Sequence, residues 1–307
     1  MRFINLKTKA EVCSISQPTI LCIGNFDGVH LGHRQLVDAV LDKHIAFKKA
    51  HPCVASGAWF FDSNFYKNTD EIYSLNEKLD VFASLGLDYA IIADFEEMKS
   101  LSPTDFVYQI LQEQCKCIHA VCGENFRFGA KAMGDSNALF ELMNGNATII
   151  SLLTKDNTVI SSTYIRSLLA CGDIEQVNIL LANNYSITET VVYGKQLGRT
   201  LGLPTVNQNI NSKKLILKNG IYATICIIDD KQYYGVTNIG TRPTVDNNDQ
   251  KNIETHIIDF HDDCYGKEVK VEFVARLRDE IKFNNIDDLK HQIQQDIAST
   301  KQFFKIK

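Results

Sequence analysis

The chain is poor in the features that mark most specialised classes. Among its 307 residues are one Trp, five Pro and four Met. No apolar run approaches the ~20 residues of a membrane span, and Met1-Arg2-Phe3-Ile4-Asn5-Leu6-Lys7 lacks a signal-peptide core. A cytoplasmic protein without a membrane partner is expected. Positive charge is not in excess either, since 32 Lys and Arg against 37 Asp and Glu leave a net charge of −5. General attraction for nucleic acid is therefore excluded, and any anion site must be local, built from a few His, Arg and backbone N–H groups. Nine Cys are scattered singly, as at Cys22, Cys122 and Cys226, with no Cys-x-x-Cys pair. They read as reduced structural thiols rather than disulfides or metal ligands.

What is present is ordinary globular composition, 45% hydrophobic and 22% charged. At ~150 residues per domain the length predicts two domains. In the first half, apolar runs alternate with helical periodicity: Ile20 to Ile23, a helix to about Ala50, Val54 to Phe61, a helix over Leu75 to Leu85, and Tyr89 to Ala93. A helix from Ser102 to about Gln114, Ile118 to Cys122, a helix around Ser136 to Met143 and Ala147 to Leu153 follow. This alternation predicts right-handed crossovers and a mostly parallel sheet covered on both faces. Ligands of such sheets lie beyond the carboxyl ends of the strands, so the turns after Ile23, Phe61 and Cys122 are expected to share a crevice. Past Ala182 to Ser186 the pattern becomes short strands without helices between them, at 187–193, 221–228, 233–238, 255–260 and 269–273. An antiparallel barrel or sandwich is predicted, closed by an amphipathic helix with Leu289, Ile293 and Ile297 on one face.

Four stretches carry chemistry. Gly24 to His33 (Gly-Asn-Phe-Asp-Gly-Val-His-Leu-Gly-His) turns a buried strand into a helix, where free N–H groups and the dipole attract phosphate. His30 and His33, three apart, are placed to face the same anion. Ser161-Ser162-Thr163-Tyr164-Ile165-Arg166 opens a second helix; an N-cap accounts for Ser162 or Thr163, whereas a cation one turn in opposes the dipole unless an anion compensates it. Gly194, Gly198 and Gly202 recur every four residues before Leu203-Pro204-Thr205-Val206-Asn207. Three glycines and Pro204 argue against a helix and for a loop that wraps phosphate. Lys195 and Arg199 supply charge there, and Thr205 and Asn207 offer hard oxygens suited to Mg²⁺. Finally, Glu254-Thr255-His256 is read as opening a strand. Its carboxylate is either a solvated surface group or, opposite the phosphate loop, a base for an attacking hydroxyl.

Together these stretches resemble the bacterial bifunctional riboflavin kinase/FAD synthetases along almost the whole chain. Gly24 to His33 resembles that family's H-x-G-H nucleotidyltransferase motif, Ser161 to Arg166 its second motif, and Gly198-Arg199 with Gly202 to Asn207 its flavokinase signature. Glu254 matches the family's catalytic base. The resemblance implies an α/β, Rossmann-like FMN adenylyltransferase domain over residues 1–183 and an antiparallel β-barrel riboflavin kinase domain with a terminal helix over 184–307. It also implies ATP as co-substrate, Mg²⁺, and riboflavin, FMN and FAD as substrates and products, with room for a homo-oligomer. For adenylyl transfer it implicates Gly24, Asn25, Phe26, Asp27, Gly28, His30, His33, Asn125, Ser162, Thr163 and Arg166. For the kinase it implicates Gly194, Gly198, Arg199, Gly202, Pro204, Thr205 and Asn207, the last two at the metal. The chain departs from the family at Trp59 to Phe65, which lacks a Pro-His-Pro-like turn, at Asn125 in place of Asp, at Tyr164 in place of the usual Arg and at Val206 in place of Ala. A kinase with an altered adenylyltransferase half, and a non-catalytic flavin-binding regulator, are the rival readings.

Overall fold

Strands β2 (Thr19–Ile23) and β4 (Tyr89–Ala93) are buried at every position, and β3 (Ala55–Phe61) at all but its last. Runs without polar alternation belong to strands covered on both faces. In the computed structural model, which describes residues 1–6, 15–62, 70–194, 202–210, 213–242 and 250–306, they form the centre of an all-parallel sheet. Its order is β1-β4-β3-β2-β5-β8, with β1 at Arg2–Leu6, β5 at Cys117–Gly123 and β8 at Ala147–Ile150. Helix α1 (Leu31–Phe47) follows β2 and buries Leu36, Val37 and Val40. Helix α2 (Leu75–Ser84) starts at a full capping box between Ser74 and Glu77. Helix α3 (Phe95–Met98) is a single turn, and α4 (Pro103–Asp105) runs into a π-helical Phe106–Gln114.

Chain connections leave β2 toward β3 on one side, while β5 lies against its other side. That is the topological switch point, where a parallel sheet opens a crevice at its carboxyl edge. Helix α5 (Ser136–Leu142) precedes β8, and two small hairpins, β6 (Arg127–Phe128) with β7 (Gly134–Asp135) and β9 (Thr154–Lys155) with β10 (Thr158–Val159), flank it. The chain divides into two units, Met1–Ser162 and Thr163–Lys307.

In the second unit, α6 (Ser162–Cys171, its first residue in the first unit) and α7 (Ile174–Leu181) precede a closed six-stranded barrel. Its order is β11 (Tyr185–Val192), β12 (Val206–Asn209), β15 (Gln250–Ile257), β14 (Lys231–Arg242), β13 (Gly220–Ile228) and β16 (Glu268–Arg278), and β16 pairs back to β11. Closure removes exposed edges. Inside, Thr224, Thr237 and Thr255 are fully buried and satisfied by a chain of hydroxyl bonds of 2.8 and 2.9 Å. Helix α7 is bolted to the barrel through Asn178, whose Nδ2 donates to Phe273 O while its Oδ1 accepts from Tyr185 N–H, both at 2.8 Å. Helix α8 (Ile286–Phe304) closes the unit, capped by Asn285.

Two expectations need correction. Val206 and Asn207 lie on strand β12, not in the glycine loop, because β12 is held from both sides by β11 and β15. Gln208, fully buried there, donates Nε2 to the carbonyls of Glu189 and Val269, so a strand with little apolar pattern is fixed by long-range bonds. Glu254 sits well inside β15, which begins at Gln250. Strand β1 and the two small hairpins carry no periodic signal of their own and escape a sequence reading. Eight described cysteines are free, and burial pushes the thiols of Cys117, Cys122 and Cys226 up to about 12, which leaves them inert. Among the described residues no helix is long and apolar enough to cross a membrane.

Candidate active sites

At the carboxyl end of β2, Gly24 N–H bonds Trp59 O at 3.2 Å and the chain then turns sharply. Phe26, Gly28 and Val29 all have positive φ, at 51°, 82° and 41°. For a β-branched residue this is a strained backbone, of the kind that surroundings must impose and that gathers at functional loops. The surroundings are identifiable. Asp27, 2% exposed, accepts on Oδ1 from the N–H groups of Ile72 and Tyr73, just ahead of α2, and its carbonyl accepts from the Ser162 hydroxyl at 2.9 Å. Phe26 is fully buried and packs edge-on to Phe60 and Phe82.

The loop delivers two imidazoles. His30 caps α1, its Nδ1 accepting from His33 N–H, and the two rings stack at 3.6 Å and 15°. Gly32 lies beneath them, where a Cβ would approach the His30 ring at 3.3 Å, closer than an ordinary contact. Burial lowers His30 to about 4. His33 is held well below its ordinary value by burial, then by His30 and by Lys78, a lysine only 2% exposed on α2. Both rings are thus neutral N–H donors near pH 7. The first turn of α1 holds no acidic residue, so no carboxylate there competes with an anion for the N–H groups that the His30 cap leaves free. Across the switch point, Asn125 follows β5, exposed, with its Oδ1 against Gly123. Asn25 is exposed, and Gly24 half-buried. Thr163, exposed, and Arg166, half-buried, lie on α6 in the second unit.

The second site is assembled across strands. Glu254 on β15 is the register partner of Asn207 on β12 and of Asn238 on β14, so three polar side chains share one face of three adjacent strands. Asn207, 4% exposed, rests its amide on Gly194, where a Cβ would come within 2.5 Å of it. Gly194 is therefore required by contact, whereas Gly202 uses its positive φ in open space. Pro204 O accepts from His256 Nδ1 at 2.9 Å, which ties the Thr205 segment to β15. Thr205, Glu254 and His256 line one cavity of about 220 Å³ together with Leu203 and, from the closing segment, Phe283, Leu289 and Ile293. Arg278 forks onto Asp296 of α8 at 2.9 and 2.6 Å at the same cavity. Gly198 and Arg199 lie outside the described residues. Asn238, Asn252, Lys78 and the Arg278–Asp296 pair were not legible in sequence, because each enters only through strand pairing or burial.

Comparison with known proteins matches two family models to these two halves: FAD synthetase over residues 13–164 and riboflavin kinase over 181–304. A bifunctional riboflavin kinase/FMN adenylyltransferase from Bacillus subtilis is 33% identical over 93% of this chain and 92% of its own length. The chain belongs to this family. Relatives of the same name from Escherichia coli and Buchnera aphidicola are each 33% identical, covering 93% and 96% of this chain. A crystal structure described as a macrolide-efflux protein from Streptococcus pneumoniae is similar in fold, with a TM-score of 0.87 over 97% of this chain and 98% of its own, at 24% identity. In family terms, the stacked histidines fall inside the FAD synthetase match and the Glu254 face inside the riboflavin kinase match. Arg166 lies just beyond the former.

Proposed function

We propose that this enzyme makes FAD from riboflavin in two steps, with residues 184–307 phosphorylating riboflavin and residues 1–183 adenylylating the FMN formed. The observation that carries the kinase assignment is the placement of Glu254: flanked in register by Asn207 and Asn238, it faces a mostly apolar cavity shared with Thr205. In the first step Glu254 takes the proton of the terminal ribityl hydroxyl as its oxygen attacks the γ-phosphorus of ATP, and ADP leaves. Thr205 and Asn207 offer hard oxygens next to that carboxylate, a donor set that fits Mg²⁺ carrying ATP phosphates and water. When bound, the ion neutralises charge developing on the transferred phosphoryl group.

In the second step an FMN phosphate oxygen attacks the α-phosphorus of a second ATP and pyrophosphate leaves. The nucleophile is already ionised, so no protein base is needed. His30 and His33, neutral and fixed by stacking, donate N–H bonds to phosphate oxygens beside the α1 amide groups, and positioning with charge stabilisation supplies the rate. Arg166 keeps its motif-based assignment to phosphate, and a cytoplasmic location is part of the same proposal.

Incubation with riboflavin, ATP and Mg²⁺, followed by chromatography of the flavins, tests both steps. FMN followed by FAD is expected; FMN that never proceeds to FAD would overturn the second. Glu254→Gln should cut FMN formation about 10²–10⁴-fold, the usual worth of a general base.

A further inference from the structure

Glu254 has a neighbour that no sequence motif marks. Along β15, Asn252, Glu254 and His256 project to one face, and Ile253, Thr255 and Ile257 to the buried interior. Asn252 is 6% exposed, and its Nδ2 donates to Glu254 Oε1 at 2.8 Å. Its own Oδ1 is buried without a hydrogen-bond partner among the described residues. An asparagine that serves only the strand would turn its amide to satisfy both ends. This one leaves its acceptor unsatisfied while its donor is committed to the carboxylate, and turning the amide over would set oxygen against oxygen. On either side stand Asn209 of β12 and Gly240 of β14, its register partners.

We propose that Asn252 is a positioning residue of the kinase reaction, its amide fixing the Glu254 carboxylate in the orientation from which it takes the riboflavin hydroxyl proton. The proposal rests on the reading of Glu254 as base. A carboxylate on an extended side chain has three torsions to settle; a charge-assisted bond from the same strand face settles the last of them before substrate arrives.

The test uses the full chain with Asn252→Ala, Asn252→Asp, Glu254→Gln and the Asn252→Ala/Glu254→Gln double variant. Steady-state FMN formation is measured with riboflavin binding by fluorescence quenching and thermal unfolding. Asn252→Ala should lower kcat roughly tenfold, the scale of a hydrogen bond to a charged group, with KM for riboflavin and ATP within about twofold. Asn252→Asp, equal in shape but opposing carboxylate to carboxylate, should lose at least as much. In the Glu254→Gln background the Ala change should cost nothing further, because its effect passes through the carboxylate. Should the Asp variant not fold, the Ala variant and the double variant decide alone. A full kcat in Asn252→Ala, an Asp variant milder than Ala, or an additive loss in the double variant would overturn the proposal. Full FMN formation by Glu254→Gln would instead overturn the base itself, a separate result.

Discussion

The two halves build phosphate chemistry in opposite ways. In the first, a single stretch of ten residues, Gly24 to His33, carries loop, helix start and both imidazoles, and the rest of the unit holds that stretch in a strained shape. In the second, groups far apart in sequence meet: Asn207, Asn238 and Glu254 come together because three strands keep register, and Gly194, just past β11, lies against the Asn207 amide. A parallel sheet offers its ligand the loops at its carboxyl edge, whereas a closed barrel offers a face of side chains. The first site should therefore be sensitive to burial and protonation, the second to packing between strands.

The largest effect expected from this contrast is on FAD formation. His33→Ala should reduce conversion of FMN to FAD about 10²–10³-fold, as the loss of an oxyanion donor does, while FMN formation from riboflavin stays at the parent rate. Equal loss of both activities would break the separation of the two sites. Acid comes next. An unfolded imidazole titrates near 6.5 and folded His30 at about 4, so between those values the unfolded chain binds the proton and the folded unit does not. Stability of the first unit therefore rises with pH through that window and is lost on acidification, His30 accounting for on the order of 3 kcal/mol at 1.36 kcal/mol per unit. Calorimetry across the window should show this slope for the parent and a shallower one for His30→Gln; identical slopes would place the acid sensitivity elsewhere.

Two further changes probe the barrel. Gly194→Ala forces a methyl onto the Asn207 amide, and a displacement of that order can cost up to about 10²-fold in FMN formation. Adenylylation of supplied FMN should be untouched, and a fully active kinase would show that the Asn207 amide moves aside freely. Asn178→Ala removes both bonds that fasten α7 to β16 and β11, leaving a carbonyl and an N–H to find other partners. A loss of about 2 kcal/mol confined to the second unit's unfolding transition is expected, with kcat of the folded enzyme retained.

Legibility followed the same division. The parallel sheet was readable from Ile20 to Ile23, Tyr89 to Ala93 and the helix signals between them, because buried strands and amphipathic helices write periodic patterns over local windows. The strand-to-helix turn that carries His30 and His33 was readable because its residues are contiguous. Strand β12 was not, since Val206 to Asn209 has no alternation and owes its conformation to Gln208 bonding two other strands. Lys78 on α2 carries no signal in the sequence, yet packing covers it almost completely, and its charge helps to hold His33 below its ordinary value.

Composition, periodicity and spacing act over a few residues, and they suffice for the two-part plan, for a mostly parallel first half and for an antiparallel second half. Assembly of the chain adds that Asp27 ties its own loop to the start of α2 and to Ser162, that burial holds both imidazoles below their ordinary range, and that Asn252 and Glu254 are joined. Register and burial are properties of the assembled chain, set by closure of the barrel and exclusion of water, and neither is written at any single position.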